Sequence, residues 1–225
     1  ASLNLGDHVG DRPAHVAENR RRLQQAIGVA PAFLNQVHGI DCAALATAGP
    51  QAPTADAAQA DAAGVAATVM VADCLPVLLC DAHGHRVAAA HCGWRGLAAG
   101  VLERACASFG PPAPVDAARS ATKIIAWMGP CIGPEAFEVG DEVRAVFVAQ
   151  APGAAACFRA GARPGKWLAD LPALARQRLR ALGIASVHGN DGSAPWCTVG
   201  NPSRFFSHRR DGPGSGRFAA LVWRV

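Results

Sequence analysis

The sequence predicts an α/β protein of the mixed α+β kind, in which helices cover mixed β-sheets. Short apolar runs bounded by glycine or polar residues, such as 66–72 and 75–81, are typical of buried strands. Longer segments, such as 12–27, carry apolar residues at helical spacing. A length of 225 residues suits one sizeable core, and no compositional change marks a linker, so we expect a single domain over 1–225.

Three of the four predicted helices end directly before a glycine, and the predicted strands are short and apolar. A surface loop is expected over 46–59, where no period is visible. The elements expected in chain order are a helix at 12–27, a strand at 32–38, strands at 66–72, 75–81 and 86–91, a helix at 97–109, a strand at 123–128, helices at 135–150 and 168–182, and a strand at 217–225.

Composition restricts the class of protein. Charged residues make up 17% and apolar residues 51%, which excludes a disordered chain. The net charge of +4 comes from scattered arginines, so we expect no nucleic-acid partner. No long apolar stretch or signal peptide is visible, and several of the eight cysteines lie in apolar runs such as 71–80. We therefore expect free thiols, no membrane association, a cytoplasmic location and a monomer or weak homodimer.

Three residues that are distant in sequence form the first candidate site. His38, Cys74 and His91 each lie at the end of a predicted strand, and strand ends converge readily in space. Imidazole nitrogen and thiolate sulfur are ligands that zinc prefers, and three protein ligands leave a fourth position open, as in catalytic sites. No local motif fixes this geometry, so ordinary packing of buried cysteine and histidine remains the alternative.

Three further motifs could contribute chemistry. Gly93-Trp94-Arg95-Gly96 precedes a predicted helix, where backbone N–H groups and Arg95 could hold a phosphate, or where the chain simply turns. Cys131 lies in a Gly-Pro-Cys-Ile-Gly segment before another predicted helix, which indicates either a reactive thiol or a rigid turn. Phe206 and Arg209 could stack on a flat base and pair with an anion, or pack and form salt bridges.

Six segments together resemble one family, the YfiH family, which is also called the laccase-domain or polyphenol oxidase family. The resemblance covers nearly the whole chain in the same order and implies a YfiH-like fold. The segments are S-L-N-L-G at 2–6, Q-V-H-G at 36–39, A-D-C at 72–74, H-C-G-W-R-G at 91–96, G-P-C-I-G at 129–133 and F-S-H-R-R-D at 206–211.

The resemblance implies zinc bound by the histidine of Q-V-H, the cysteine of A-D-C and the first histidine of the fourth segment. These ligands fall on His38, Cys74 and His91. Members of the family are described as purine nucleoside phosphorylases acting on adenosine, inosine, guanosine and methylthioadenosine, with adenosine deaminase activity; older descriptions call them multicopper oxidases. Cys92 stands where the family usually has alanine. Relatives usually carry an upstream segment, so we expect part of the substrate pocket to be missing here.

The resemblance makes a nucleoside and phosphate the expected small molecules. Arg95 is the candidate to hold phosphate, with Arg209 and Phe206 as further substrate-binding candidates. Cys74, His91 and Asp73 are the catalytic candidates, and Asp73 or a histidine would move a proton during deamination.

Three alternatives stay open. A copper-dependent polyphenol oxidase would also use imidazole and thiolate ligands. A metal-free Cys/His hydrolase would use Cys74 as nucleophile and His91 as base. A structural zinc site would be closed by a fourth protein ligand, such as Cys92 or Cys131.

Overall fold

The computed structural model describes residues 3–46, 51–110 and 123–225. Ser2 of the first family segment and positions 47–50 of the expected surface loop lie outside these residues. None of the helices within the described ranges is long and apolar enough to cross a membrane. The α-helices are α1 (Pro13–Ile27), α2 (Trp94–Ala99), α3 (Val101–Ala107), α4 (Asp141–Gln150), α5 (Leu171–Ala181) and α6 (His208–Asp211).

The strands of the described residues form three sheets. A six-stranded sheet has the order β11-β7-β5-β6-β3-β2, and a three-stranded sheet has the order β1-β4-β12. A smaller sheet of three short strands has the order β8-β10-β9. The strands are β1 (Ala30–Ala32), β2 (Cys42–Leu45), β3 (Ala57–Ala60), β4 (Val65–Val71), β5 (Leu75–Asp81), β6 (Val87–Cys92), β7 (Ile124–Met128), β8 (Glu138–Gly140), β9 (Phe158–Ala160), β10 (Lys166–Ala169), β11 (Ser186–Gly189) and β12 (Phe218–Val222).

The six-stranded sheet is covered on both faces. Side chains of one face, such as Ala88 and Ala90 of β6, pack with α2 to α5 in the larger core. Side chains of the opposite face, such as Val87 and Ala89, pack with β4 of the three-stranded sheet in the second core. Because successive side chains of a strand alternate between faces, a strand covered on both sides is apolar throughout, as β6 is before His91. The predicted mixed α/β fold is confirmed.

Several predicted elements are confirmed with small changes of boundary. The first helix begins at Pro13 and ends before Gly28, which adopts φ 74° as its C-terminal cap. Strands β5 and β6 form the expected antiparallel hairpin, with Pro76 paired to His91. Strand β4 does not extend that hairpin, because it belongs to the other sheet. The link between β4 and β5 therefore crosses from one sheet to the other at residues 72–74.

Other predicted boundaries are wrong. The strand expected at 32–38 is β1 at Ala30–Ala32, and His38 lies in the loop that follows. The helix expected at 97–109 begins at Trp94 and is interrupted at Gly100, whose φ is 107°. The helix expected at 135–150 begins only at Asp141 and the one at 168–182 only at Leu171, because β8 and β10 pair with each other just before these helices begin.

Candidate functional site

His38, Cys74 and His91 come together at the boundary between the two larger sheets. One ligand atom from each lies within 4.8 Å of the others. The Sγ of Cys74 is 3.7 Å from Nε2 of His38, and the two imidazole centroids are 4.8 Å apart. No other such group of three or more histidine, cysteine or carboxylate side chains occurs among the described residues. The cluster has the donor set and spacing to hold one metal ion.

The backbone at this cluster is strained. His38 has φ 59° and Asp73 has φ 94°, and they are the only non-glycine residues of the described chain with positive φ. Such conformations are costly for residues with a Cβ, and they persist only where surrounding contacts hold them. Near His38, the side chain of Gln36 donates to the carbonyl of Met70 at 2.9 Å and accepts its N–H at 2.7 Å. The loop is thereby joined to the end of β4, two residues before the link that carries Cys74.

A buried carboxylate lies behind the two histidines. Asp56 is 0% exposed and accepts backbone N–H groups from Val37 at 3.1 Å, His38 at 2.9 Å and Gly39 at 2.6 Å. Its Oδ1 also lies 2.8 Å from Nδ1 of His91. Burial acts to raise the pKa of Asp56, but the hydrogen bonds from His91 and the backbone N–H groups outweigh burial and lower it. Asp56 therefore stays ionised at neutral pH.

Cys74 and His91 shift each other's protonation. Burial acts to raise the pKa of Cys74. The positive charge of His91 and the hydrogen bonds from His38 and His91 outweigh burial and lower the pKa below the usual thiol value. For His91, burial acts to lower the pKa, whereas Cys74 and Asp56 raise it above the usual imidazole value. Without a metal, the two side chains therefore favour a thiolate and imidazolium pair.

Asp73 connects the Cys74 link to later parts of the chain. Its Oδ1 accepts the hydroxyl of Thr198 at 2.5 Å, and its Oδ2 accepts the backbone N–H of Arg209 at 2.6 Å. Its backbone carbonyl accepts the N–H of Ile132 at 2.9 Å. Asp73 thus lies at the site, as the sequence suggests, but both of its carboxylate oxygens already hold neighbouring segments in place.

The two glycines around Trp94 and Arg95 allow close packing against the cluster. A Cβ on Gly93 would lie 2.9 Å from Cδ2 of His38 and 3.0 Å from Sγ of Cys74. A Cβ on Gly96 would lie 3.0 Å from the carbonyl oxygen of Gly39. The expected sequence of strand, tight turn and helix is confirmed, and steric proximity rather than positive φ explains these glycines.

A cavity of about 420 Å³ opens beside the cluster. Arg95, Arg209 and Arg217 lie in its wall, together with the aromatic side chains of Trp94 and Phe137. The Arg95 side chain is exposed, with its guanidinium carbon 4.7 Å from the centre of the Trp94 ring. The wall therefore combines positive charge, which suits an anion, with apolar surface, which suits a flat ring.

Arg209 differs from Arg95 in that its guanidinium is already held. It donates to the carbonyls of Ala136 and Glu138 at 3.2 to 3.3 Å and lies 5.7 Å from the Phe137 ring. Phe206, the other predicted binding residue of that segment, lines a second cavity beside Gly216 and not the one at the cluster.

Neither of the other two candidate cysteines belongs to the cluster of His38, Cys74 and His91. His91 and Cys92 point to opposite faces of β6, so Cys92 is fully buried in the helix-covered core. Cys131 is also buried, and Asn190 donates to its Sγ at 3.4 Å. Helix α4 starts ten residues after Cys131, so the helix predicted directly after this segment is wrong. All eight cysteines are free thiols, as predicted.

Three residues at the site were not predicted from the sequence, namely Asp56, Thr198 and Arg217. Asp56 carries the one usable signal, since it is an isolated carboxylate in an alanine-rich stretch that enters β3. Thr198 and Arg217 reach the site through contacts across more than 120 residues, such as the 125-residue separation between Thr198 and Asp73. No local pattern marks such residues.

A family model described as multi-copper polyphenol oxidoreductase laccase matches residues 1–225. The chain belongs to this family. A purine nucleoside phosphorylase of Pseudomonas aeruginosa is 49% identical over 223 residues, covering 99% of this chain and 86% of that protein. The Escherichia coli purine nucleoside phosphorylase YfiH is 46% identical over 227 residues, covering 100% and 87%. A crystal structure of a Neisseria meningitidis protein of family DUF152 superposes with a TM-score of 0.89 at 48% identity, covering 99% and 86%.

These similarities confirm the resemblance to the YfiH and laccase-domain family. The names of the relatives support an enzyme with small-molecule substrates. The family's description refers to copper, and the cluster of His38, Cys74 and His91 could hold a metal ion.

Proposed function

We propose that this chain is a zinc-dependent purine nucleoside phosphorylase, which transfers the ribosyl group of a purine nucleoside to phosphate and releases the free base. One observation carries the proposal. His38, Cys74 and His91 lie within 4.8 Å of one another in the wall of a cavity of about 420 Å³ that also presents Arg95. The names of the two relatives, at 49% and 46% identity, support the same reaction.

The donor set fits zinc. Two imidazoles and one thiolate are common zinc ligands, and three protein ligands leave a position for substrate. The Nδ1 of His91 is engaged by Asp56, so its Nε2 is the nitrogen available to a metal. Zinc bound there would supply Lewis acidity toward the substrate.

Arg95 is the proposed phosphate ligand. Its guanidinium stacks on Trp94 and has no hydrogen-bond partner among the described residues, so it is free to pair with an anion. Arg209 and Arg217 add positive charge to the same wall. The purine ring would pack against Phe137.

In the proposed reaction, a phosphate oxygen forms a bond to C1′ of the ribose as the bond from C1′ to the purine nitrogen breaks. The base leaves with the bonding electron pair and takes up a proton. His8 and His208 line the cavity and are the candidate donors of that proton. Arginine side chains that align phosphate with C1′ contribute by positioning.

From the family resemblance, we extend the proposal to adenosine, inosine, guanosine and methylthioadenosine as substrates, and to adenosine deamination as a second activity of the same site. Deamination would add water at C6 of the purine and release ammonia, so it needs no phosphate. It should therefore persist in phosphate-free buffer, and loss of Arg95 should weaken it less than it weakens phosphorolysis.

The test combines metal analysis with a nucleoside assay. Mass spectrometry of the purified protein should find about one zinc per chain. Chromatography should detect release of free base from inosine that depends on phosphate. Arg95→Ala should lower kcat/KM for phosphate by about 10- to 1,000-fold. Arg180→Ala, which removes an exposed arginine of α5 outside the cavity, should leave it unchanged. Inosine that stays intact in the zinc-loaded protein would refute the proposal.

Copper-dependent oxidation of phenols is a second candidate, because two histidines and one cysteine also form copper sites. The family's description favours it. The described residues provide one three-ligand group, whereas multicopper chemistry needs several. Copper-loaded protein that shows an intense thiolate-to-copper absorption band and oxidises phenols would support this candidate.

A metal-free Cys/His hydrolase is favoured by the shifted pKa values of Cys74 and His91, which produce a thiolate beside an imidazolium. Hydrolytic activity that survives complete chelation and disappears in Cys74→Ala would support it.

A further inference from the structure

We propose that Asp56 is the positioning residue of the metal centre, and that its single carboxylate orients both histidine ligands at once. This inference rests on the proposed metal-binding role of His38, Cys74 and His91. Asp56 controls His91 through its ring and His38 through its backbone. It lies behind the imidazoles, so it acts through them and does not itself contact a metal.

The contact with His91 selects the ring nitrogen that faces the cluster. Nδ1 of His91 lies 2.8 Å from Oδ1 of Asp56, and both side chains are at least 96% buried. Both oxygens of Asp56 already accept backbone N–H groups, so the carboxylate is the acceptor in this contact and Nδ1 carries the hydrogen. In the neutral ring, Nε2 then keeps its lone pair for a metal, and the ring cannot rotate without breaking a buried hydrogen bond.

The contacts with the loop fix His38 in a different way. Three consecutive backbone N–H groups, those of Val37, His38 and Gly39, point at the two oxygens of Asp56. His38 holds φ 59° at the centre of this loop. Three hydrogen bonds to a charged acceptor offset the cost of that left-handed conformation. The side chain of His38 is thereby directed toward Sγ of Cys74.

Asp56 could also matter only because it accepts backbone N–H groups and so stabilises the fold. That role can be separated from metal positioning, because the chain contains a matched buried carboxylate away from the cluster. Asp81 is buried and accepts the N–H groups of His83, His85 and Arg86 at 2.6 to 3.2 Å. It organises the turn between β5 and β6, and none of its partners belongs to the cluster. Loss of Asp81 should therefore reproduce the structural part of the loss of Asp56.

Asparagine cannot replace Asp56 in both roles. Oδ1 receives His38 N–H and His91 Nδ1–H, whereas Oδ2 receives Val37 N–H and Gly39 N–H. An amide has one oxygen and one NH₂ group, so two of these donors must face another donor. In one orientation His91 must move its hydrogen to Nε2 and lose its metal-binding lone pair. In the other orientation the loop of His38 is pushed away.

The experiment compares Asp56→Asn with Asp81→Asn and wild type. Zinc affinity is measured by competition with a chromophoric chelator, and thermal unfolding is followed in the same samples. We expect Asp56→Asn to weaken zinc binding by about 10- to 100-fold, as outer-shell substitutions do. Asp81→Asn should bind zinc like wild type even if it unfolds at lower temperature. Cobalt-substituted Asp56→Asn should show weaker d–d bands, which a purely structural role would not change.

A measurement on the wild type keeps the inference testable if Asp56→Asn does not fold. Nitrogen-15 NMR of the zinc-loaded protein should show His91 with hydrogen on Nδ1 and the metal on Nε2. Metal on Nδ1, or zinc binding by Asp56→Asn as tight as that of Asp81→Asn, would overturn the proposed role of Asp56 but leave the metal centre itself in place. Wild-type protein that binds no zinc would overturn the metal centre and this inference together.

Discussion

Replacing Gly93 by alanine inserts a methyl group into the candidate metal centre. The added Cβ would lie 2.9 Å from Cδ2 of His38 and 3.0 Å from Sγ of Cys74. Carbon contacts are favourable at about 3.5 to 4.0 Å, so the imidazole and the sulfur must each move by about 0.5 Å or more. Metal–ligand distances tolerate about 0.2 Å, so the site cannot absorb this shift. We expect zinc affinity to fall by about 10- to 100-fold, or about 1.4 to 2.8 kcal/mol.

The fold should survive this change. Gly93 caps α2 with φ −63° and ψ 157°, which alanine adopts without strain, and the poorer cap costs about 1 kcal/mol. Gly153→Ala is the matched control, because a Cβ there meets nothing within 4 Å. Zinc affinity is measured by chelator competition and stability by urea unfolding. A Gly93→Ala protein that binds zinc within twofold of the control would refute the placement of His38 and Cys74 as ligands on either side of the methyl group.

Three further predictions concern the same site. Thr198→Val removes the hydroxyl that donates to Asp73, so the unfolding free energy in urea should fall by about 1 to 3 kcal/mol, and Thr198→Ser should restore it; an unchanged midpoint would contradict this. In metal-free protein, the rate of Cys74 alkylation can be measured by peptide mapping and plotted against pH. The inflection of this curve should lie below the pKa of an ordinary thiol, because the pKa of Cys74 is lowered and the thiolate is the reactive form. His91→Gln should move that inflection upward, and an unmoved inflection would exclude the pairing. Zinc at about 100 times its Kd should add about 2.7 kcal/mol to the unfolding free energy of wild type and nothing to Cys74→Ala; equal gains would remove Cys74 from the ligand set.

The candidate cluster of His38, Cys74 and His91 could be predicted from the sequence because these residue types are unusual for their surroundings. Cys74 and His91 follow apolar segments whose strand character is evident, and the hairpin of β5 and β6 fixes their approximate distance. His38 does join Cys74 and His91, but the local structure predicted for it is wrong. Its loop is not a strand, and its conformation depends on Asp56, which is 18 residues further along the chain. Sequence periodicity carries no information about such a contact.

The shape of the cavity could not be predicted for the same reason. Arg95 was predicted because it lies in a glycine-bounded turn before a predicted helix, whereas the backbone N–H of Arg217 donates to the side chain of Asn4, 213 residues away. Phe206 and Phe137 show that the aromatic residue of the cavity wall could not be predicted either. Phe206 was predicted to stack on a flat base, yet Phe137, which directly precedes β8 and was not predicted, lines the cavity.

The positions of these groups along the chain also set the order in which a growing chain acquires them. The three candidate metal ligands belong to residues 38–91, whereas Phe137, Arg209 and Arg217 of the cavity wall are synthesised later. Synthesis therefore supplies the candidate ligand set, together with Arg95, well before the remainder of the cavity wall. Asp73, which binds the N–H of Arg209 across 136 residues, is where the two stages are finally joined.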